Sequence, residues 1–104
     1  MLKKLIFLLF FSIHSFGQYE IPNQPTTQKA VYQYKKILND ADENSLNQKL
    51  VKYADSTSTQ IVIVSIDSTM GEDVLFLGAQ WAQKWGIGQK ELDNGILILI
   101  AVDD

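Results

Sequence analysis

Three carboxylates in this chain fall where strand-like runs end. Asp67 follows the run Gln60–Ile66, and Asp103 and Asp104 follow Gly95–Val102. Joined by the hydroxyls of Ser68 and Thr69, they form an all-oxygen set of the kind that suits a hard cation, Ca²⁺ or Mg²⁺, better than zinc. A solvated acidic edge accounts for the same residues equally well. Asp93 and Asn94, just ahead of Gly95, make an alternative ligand site, although Asn-Gly is also ordinary turn chemistry. The two sets cannot share one ligand, because a strand of eight residues such as Gly95–Val102 spans about 25 Å. Gly86, Gly88 and Lys90 superficially resemble a phosphate loop. Such loops precede a helix and use its N-terminal amides, whereas these residues follow one, so a helix C-cap explains them better. Trp81 and Trp85, four apart, read as core before they read as a ligand platform.

Composition limits the chemistry further. The chain has 104 residues, with nine lysines, no arginine, no cysteine and a single histidine, His14. Without cysteine there is no disulfide, thiolate nucleophile or thiolate-bound zinc. Residues 1–17 have the form of a signal peptide: Lys3 and Lys4, then the apolar run Leu5–Phe11, then Ser15-Phe16-Gly17 ahead of a cut before Gln18. That apolar run is too short to span a bilayer, which needs about 20 residues. The mature chain of 87 residues then lacks histidine as well, which excludes Ser-His-Asp and Cys-His catalysis. It carries seven lysines against twelve acids, a balance of −5 that disfavours nucleic acid and anionic membranes as partners. The expected location is the periplasm, the cell envelope or the medium, with no transmembrane span in the mature chain.

Residues 18–27 hold both prolines and read as an extended N-terminal segment; residues 28–104 read as one α/β domain. Lys29–Asn39 fits a helical stripe or a short extended run around Val31-Tyr32-Gln33-Tyr34. Asp40 and Glu43 have the spacing of a capping box, opening a helix with Leu46, Leu50, Tyr53 and Ala54 on one face. Gln60–Ile66 reads as a strand covered on both faces. Val74, Leu77, Trp81 and Trp85 mark one face of a helix over Glu72–Trp85, capped by Gly86. Gly95–Val102 reads as a second buried strand. Strand, helix and strand in that order require a parallel pair, hence a mostly parallel sheet in a layered α/β/α sandwich, and the parallel pair brings Asp67, Asp103 and Asp104 to one sheet edge.

Four pieces in this order resemble the TPM domain family, which includes thylakoid proteins of photosystem II repair and exported bacterial proteins. They are Ile21-Pro22 with Pro25 nearby, then Gln60-Ile61-Val62-Ile63-Val64. Lys84-Trp85-Gly86-Ile87-Gly88-Gln89-Lys90 follows, and then Asp93-Asn94-Gly95 running into an aliphatic strand that ends at Asp103-Asp104. In the family an arginine, a returning antiparallel strand, a glycine-rich turn and further helices come next. The resemblance therefore implies a partial domain, lacking its last third and leaving a strand edge unpaired. It also implies an exported, envelope- or membrane-associated protein. Such a protein would be a binding or accessory module for assembly or repair, with an envelope or membrane protein as partner and a divalent-cation site. The alternative that the resemblance offers is a metal-dependent acid phosphatase acting on phosphomonoesters.

The succession of lysines, apolar run and small residues predicts that envelope or secreted material starts at Gln18. Intact-mass spectrometry checks this; cytosolic protein retaining Met1 would contradict it.

Overall fold

β-branched residues crowd into Gln60–Ile66, helix formers with apolar three–four spacing lie between residues 74 and 85, and aliphatics return after Gly95. The computed structural model, which describes residues 19–26, 29–88 and 94–104, turns these runs into a βαβαβ chain. Its elements are β1 (Val31–Gln33), α1 (Asp40–Thr57), β2 (Thr59–Ile66), α2 (Val74–Lys84) and β3 (Asn94–Ala101). The three strands form one parallel sheet in the order β1-β2-β3, an α/β architecture. β2 is central: Val31 pairs with Ile63 on one side, and on the other β3 matches β2 throughout, from Thr59 beside Asn94 to Ile66 beside Ala101. The proposed leader, Gln18 and Asp93 lie outside the described residues.

The core lies between the sheet and α2. Side chains alternate along a strand, so Val62, Val64 and Ile66 share one side of β2. They are buried with Leu77, Trp81 and Trp85 of the α2 region, and Tyr32, Leu97, Leu99 and Ala101 pack around them. The register places these last four beside Val64, Val62, Val64 and Ile66, so one continuous apolar face meets one helix. Trp81 is fully buried, with its ring 5.4 Å from that of Trp85. The core reading of both tryptophans holds.

One open reading is resolved and three expectations need correction. The ambiguous segment at 29–39 is extended: Val31–Gln33 joins the sheet as β1, and the Asn47 side chain of α1 accepts the backbone N–H groups of Ala30 and Val31 at 2.6 and 3.3 Å. Helix α1 is capped by Asn39, one residue earlier than the sequence suggests. The Asn39 carboxamide oxygen accepts the Asp42 N–H at 2.8 Å, while the Glu43 carboxylate accepts a bond from the Gln33 carboxamide instead of closing a capping box. No residue of α1 is fully buried, so the stripe at Leu46, Leu50, Tyr53 and Ala54 is only a shallow contact face; Tyr53 is exposed. On α2, Val74 is likewise exposed.

The third correction concerns β3, which is open on one side among the described residues. Ile96 and Ile98 are 49% and 43% exposed. They lie on the side of the sheet away from α2, and α1 packs on β1 and β2 without reaching β3. Among the described residues no strand pairs with the outer edge of β3. An aliphatic run that alternates onto two equally apolar faces carries no signal of which face is covered.

The cap assignment predicts that Asn39→Ala lowers stability by about 1 kcal/mol. Asp40→Ala leaves that cap in place and costs less. Urea denaturation of the two variants decides between the positions.

Candidate functional site

The parallel register brings the ends of all three strands to one edge. The backbone N–H of Val102 donates to the carbonyl of Ile66 at 3.0 Å, and that of Asp103 to the carbonyl of Asp67 at 2.7 Å, so the chain segments leaving β2 and β3 are tied together. Asp67, Asp103 and Asp104 therefore share the carboxyl edge, where open α/β sheets commonly hold ligands.

Their carboxylates have separate roles. Asp104 is held by the turn after β2: Ser68 Oγ donates to its Oδ1 at 2.8 Å, while Thr69 donates to Oδ2 through its backbone N–H at 3.1 Å and its hydroxyl at 2.8 Å. These bonds, the Thr69 backbone N–H first, hold the Asp104 carboxyl below the usual carboxylate range. Thr69 itself is buried. Met70 and Gly71 follow it with φ of 56° and 85°, turning the chain towards α2. Asp67 stands on the exposed rim, 3.6 Å from Lys35 Nζ. Among the described residues no group of three or more His, Cys, Asp or Glu side chains is placed to hold a metal ion. The edge gathers the three residues without forming a ready cage.

Sequence reasoning passed over several neighbours at this edge. Lys35 reaches it because β1 ends two residues earlier, which only the pairing of β1 with β2 reveals. Tyr19 and Tyr34 set their rings 5.8 and 6.0 Å from that of Trp81. Burial pushes the Tyr19 phenol up, and the negative charge of Asp67 pushes it further. Burial also raises the Tyr34 phenol, with Tyr19 and Tyr32 adding to the effect. Glu72 receives the backbone N–H of Tyr19 on Oε1 at 3.3 Å; its other oxygen, Oε2, is buried without a hydrogen-bond partner among the described residues.

The opposite edge carries Asn94, the first residue of β3, paired with Thr59; Asp93 lies outside the described residues. Here the glycine-containing segment has a structural job at each described position. Lys84 Nζ donates to the carbonyl of Ile21 at 2.7 Å and Trp85 Nε1 to that of Pro22 at 2.9 Å, strapping the N-terminal segment across α2. Gly86, at φ 64°, donates to Gln83 O, and Ile87 donates to Ala82 O, the paired bonds of a Schellman C-cap. Gly88 donates its N–H to Gln60 Oε1 at 3.1 Å and passes so close to Gly95 that a Cβ on Gly88 would sit 2.7 Å from the Gly95 nitrogen. These contacts support the cap reading of Gly86 over a phosphate loop. They also give Gly95 a packing reason.

The bonds to Asp104 set a pH dependence with a definite sign. A carboxyl whose folded pKa lies below its unfolded value stabilises the fold at neutral pH, and that stabilisation disappears as pH falls through the lowered value. NMR titration should show the Thr69 amide reporting a transition below pH ~3.9, the usual aspartate value. Asp104→Ala should remove the transition.

A family model for the TPM domain matches residues 31–104. The match includes the sheet, both helices, the carboxyl edge and the glycine-containing segment. Comparison with curated proteins gives no match. The chain belongs to the TPM domain family.

Proposed function

We propose that this TPM domain works in the cell envelope, after loss of its leader, as a binding or accessory module. It would hold an extended segment of a protein partner along β3. The observation that carries this reading is the exposed apolar face of β3, where Ile96 and Ile98 are open to solvent. On the other side of the strand, a groove of about 480 Å³ runs between α2 and β3, lined by Val74, Leu75, Gly78, Leu97 and Leu99 among others. An extended segment added there gains main-chain hydrogen bonds from the edge and side-chain contacts from both apolar flanks. The acidic end of β3, at Asp103 and Asp104, favours a segment with basic residues at the adjoining end.

A second reading, a metal-dependent acid phosphatase using Ca²⁺ or Mg²⁺, draws on the convergence of Asp67, Asp103, Ser68 and Thr69 at the carboxyl edge. One observation ranks it lower: the Asp104 oxygens already accept three hydrogen bonds.

One purified sample separates the readings. A synthetic peptide of alternating Val and Thr ending in two lysines should shift NMR signals along β3 and the α2 groove, and Ile96→Lys/Ile98→Lys should abolish the shifts. With Ca²⁺ or Mg²⁺ present, turnover of a generic phosphomonoester should stay below ~1 s⁻¹, the low end of the ordinary enzyme range. Faster turnover that is lost on Asp103→Asn, with no peptide effect, would establish the phosphatase reading instead.

A further inference from the structure

A cavity of about 620 Å³ opens at the amino edge of the sheet, at the opposite end of β2 from Asp67. The late start of β1 creates it. β2 runs from Thr59, yet β1 joins it only at Val31, beside Ile63. Ile63 donates its N–H to the carbonyl of Ala30, and the next step of a parallel ladder would send the Ala30 N–H to the carbonyl of Ile61. Asn47 takes that N–H instead, at 2.6 Å. The chain ahead of β1 is thereby drawn towards α1, and the first half of β2 becomes a cavity wall.

Leu50, Ala54, Ile61 and Val62 give this cavity an apolar lining, and Lys29 and Asp55 line it with opposite charges. Neither charged side chain forms an ion pair among the described residues. Asp55 lies in the last turn of α1, where the helix end is already partly negative and no basic residue offsets it. A cation is the complement missing there. Gln60 accepts the Gly88 N–H on its Oε1, which leaves its NH₂ group, with the Lys29 ammonium, as a donor for an anion.

The geometry points to a binding site for a short zwitterionic peptide with apolar side chains. Its ammonium meets Asp55 and the end of α1, its carboxylate meets Lys29 and Gln60, and its side chains cover the apolar lining. A peptide N–H also replaces the one that Asn47 withdraws from Ile61, which a free amino acid has no amide to do. The volume falls within the range of about 300–1,000 Å³ usual for small-ligand sites. The site is separate from the β3 surface and does not depend on it.

Blocking each charge of one dipeptide tests this. Leucyl-leucine, its N-acetyl form and its C-terminal amide are titrated by NMR into the wild type, Asp55→Asn and Lys29→Gln, with the Trp81 indole signal checking that each variant stays folded. The unmodified dipeptide should shift the amides of Leu50, Ala54 and Ile61 and leave those of Ile98 and Leu99 in place. Acetylation should weaken binding about tenfold in the wild type and no more than about twofold in Asp55→Asn, because the charge-assisted bond is lost only once. Amidation should behave in the same way, with Lys29→Gln as the indifferent background. Absence of shifts at the cavity would overturn the site, and so would blocked forms that bind all three proteins as well as the free dipeptide does. Shifts confined to β3 would overturn it while leaving the β3 reading intact.

Discussion

The seat of α2 on the sheet is the constraint from which the rest of the molecule follows. Leu77, Trp81 and Trp85 are almost fully buried against Val62, Val64 and Ile66. Removing a side chain of that size from such a core costs about 2–5 kcal/mol, a large part of a small domain's total stability. Because the tryptophans sit on one helical face, they also receive Tyr19, Tyr32 and Tyr34 around their rims. The helix thereby fixes β1 and the N-terminal strap as well as β2 and β3.

The two ends of this helix shape the two ends of the sheet. At its start, the turn through Thr69, Met70 and Gly71 both captures Asp104 and leads the chain to the Asp73 cap. At its finish, Gly86 reverses the chain and Gly88 touches Gly95, so β3 begins in full register with β2. The glycine-containing family signature is thus a packing device for the loop between α2 and β3. At the other edge Asp67 lies near Lys35 and Tyr19, and Asp103 is tied to it through the backbone.

Much of this was legible in the residues. The strength of the apolar pattern made β2 and α2 readable, and two strands joined by one helix had to be parallel, which placed Asp67, Asp103 and Asp104 together. What stayed hidden depended on partners distant in sequence. β1 has three residues, too few to show a period, and exists because β2 pairs with it. Asn39 takes the cap from Asp40 while Glu43 turns to Gln33, a residue outside the helix. Which face of β3 is covered could not be read because Ile96-Leu97-Ile98-Leu99 is apolar on both sides. The engagement of Asp104 by Ser68 and Thr69 joins residues more than thirty positions apart, and no spacing rule announces it.

β3 bonds to β2 on one side, and among the described residues no strand pairs with its other edge. The Val102 N–H points to Ile66, and alternation along the strand gives the expected pattern for the rest. Residue-resolved hydrogen exchange on dilute purified protein tests it most directly. The amides of Ile96, Ile98 and Ile100 should be strongly protected, while those of Leu97, Leu99 and Ala101 exchange near the rate of open backbone. Uniform protection along the strand would contradict the account, because the outer edge would then already be filled.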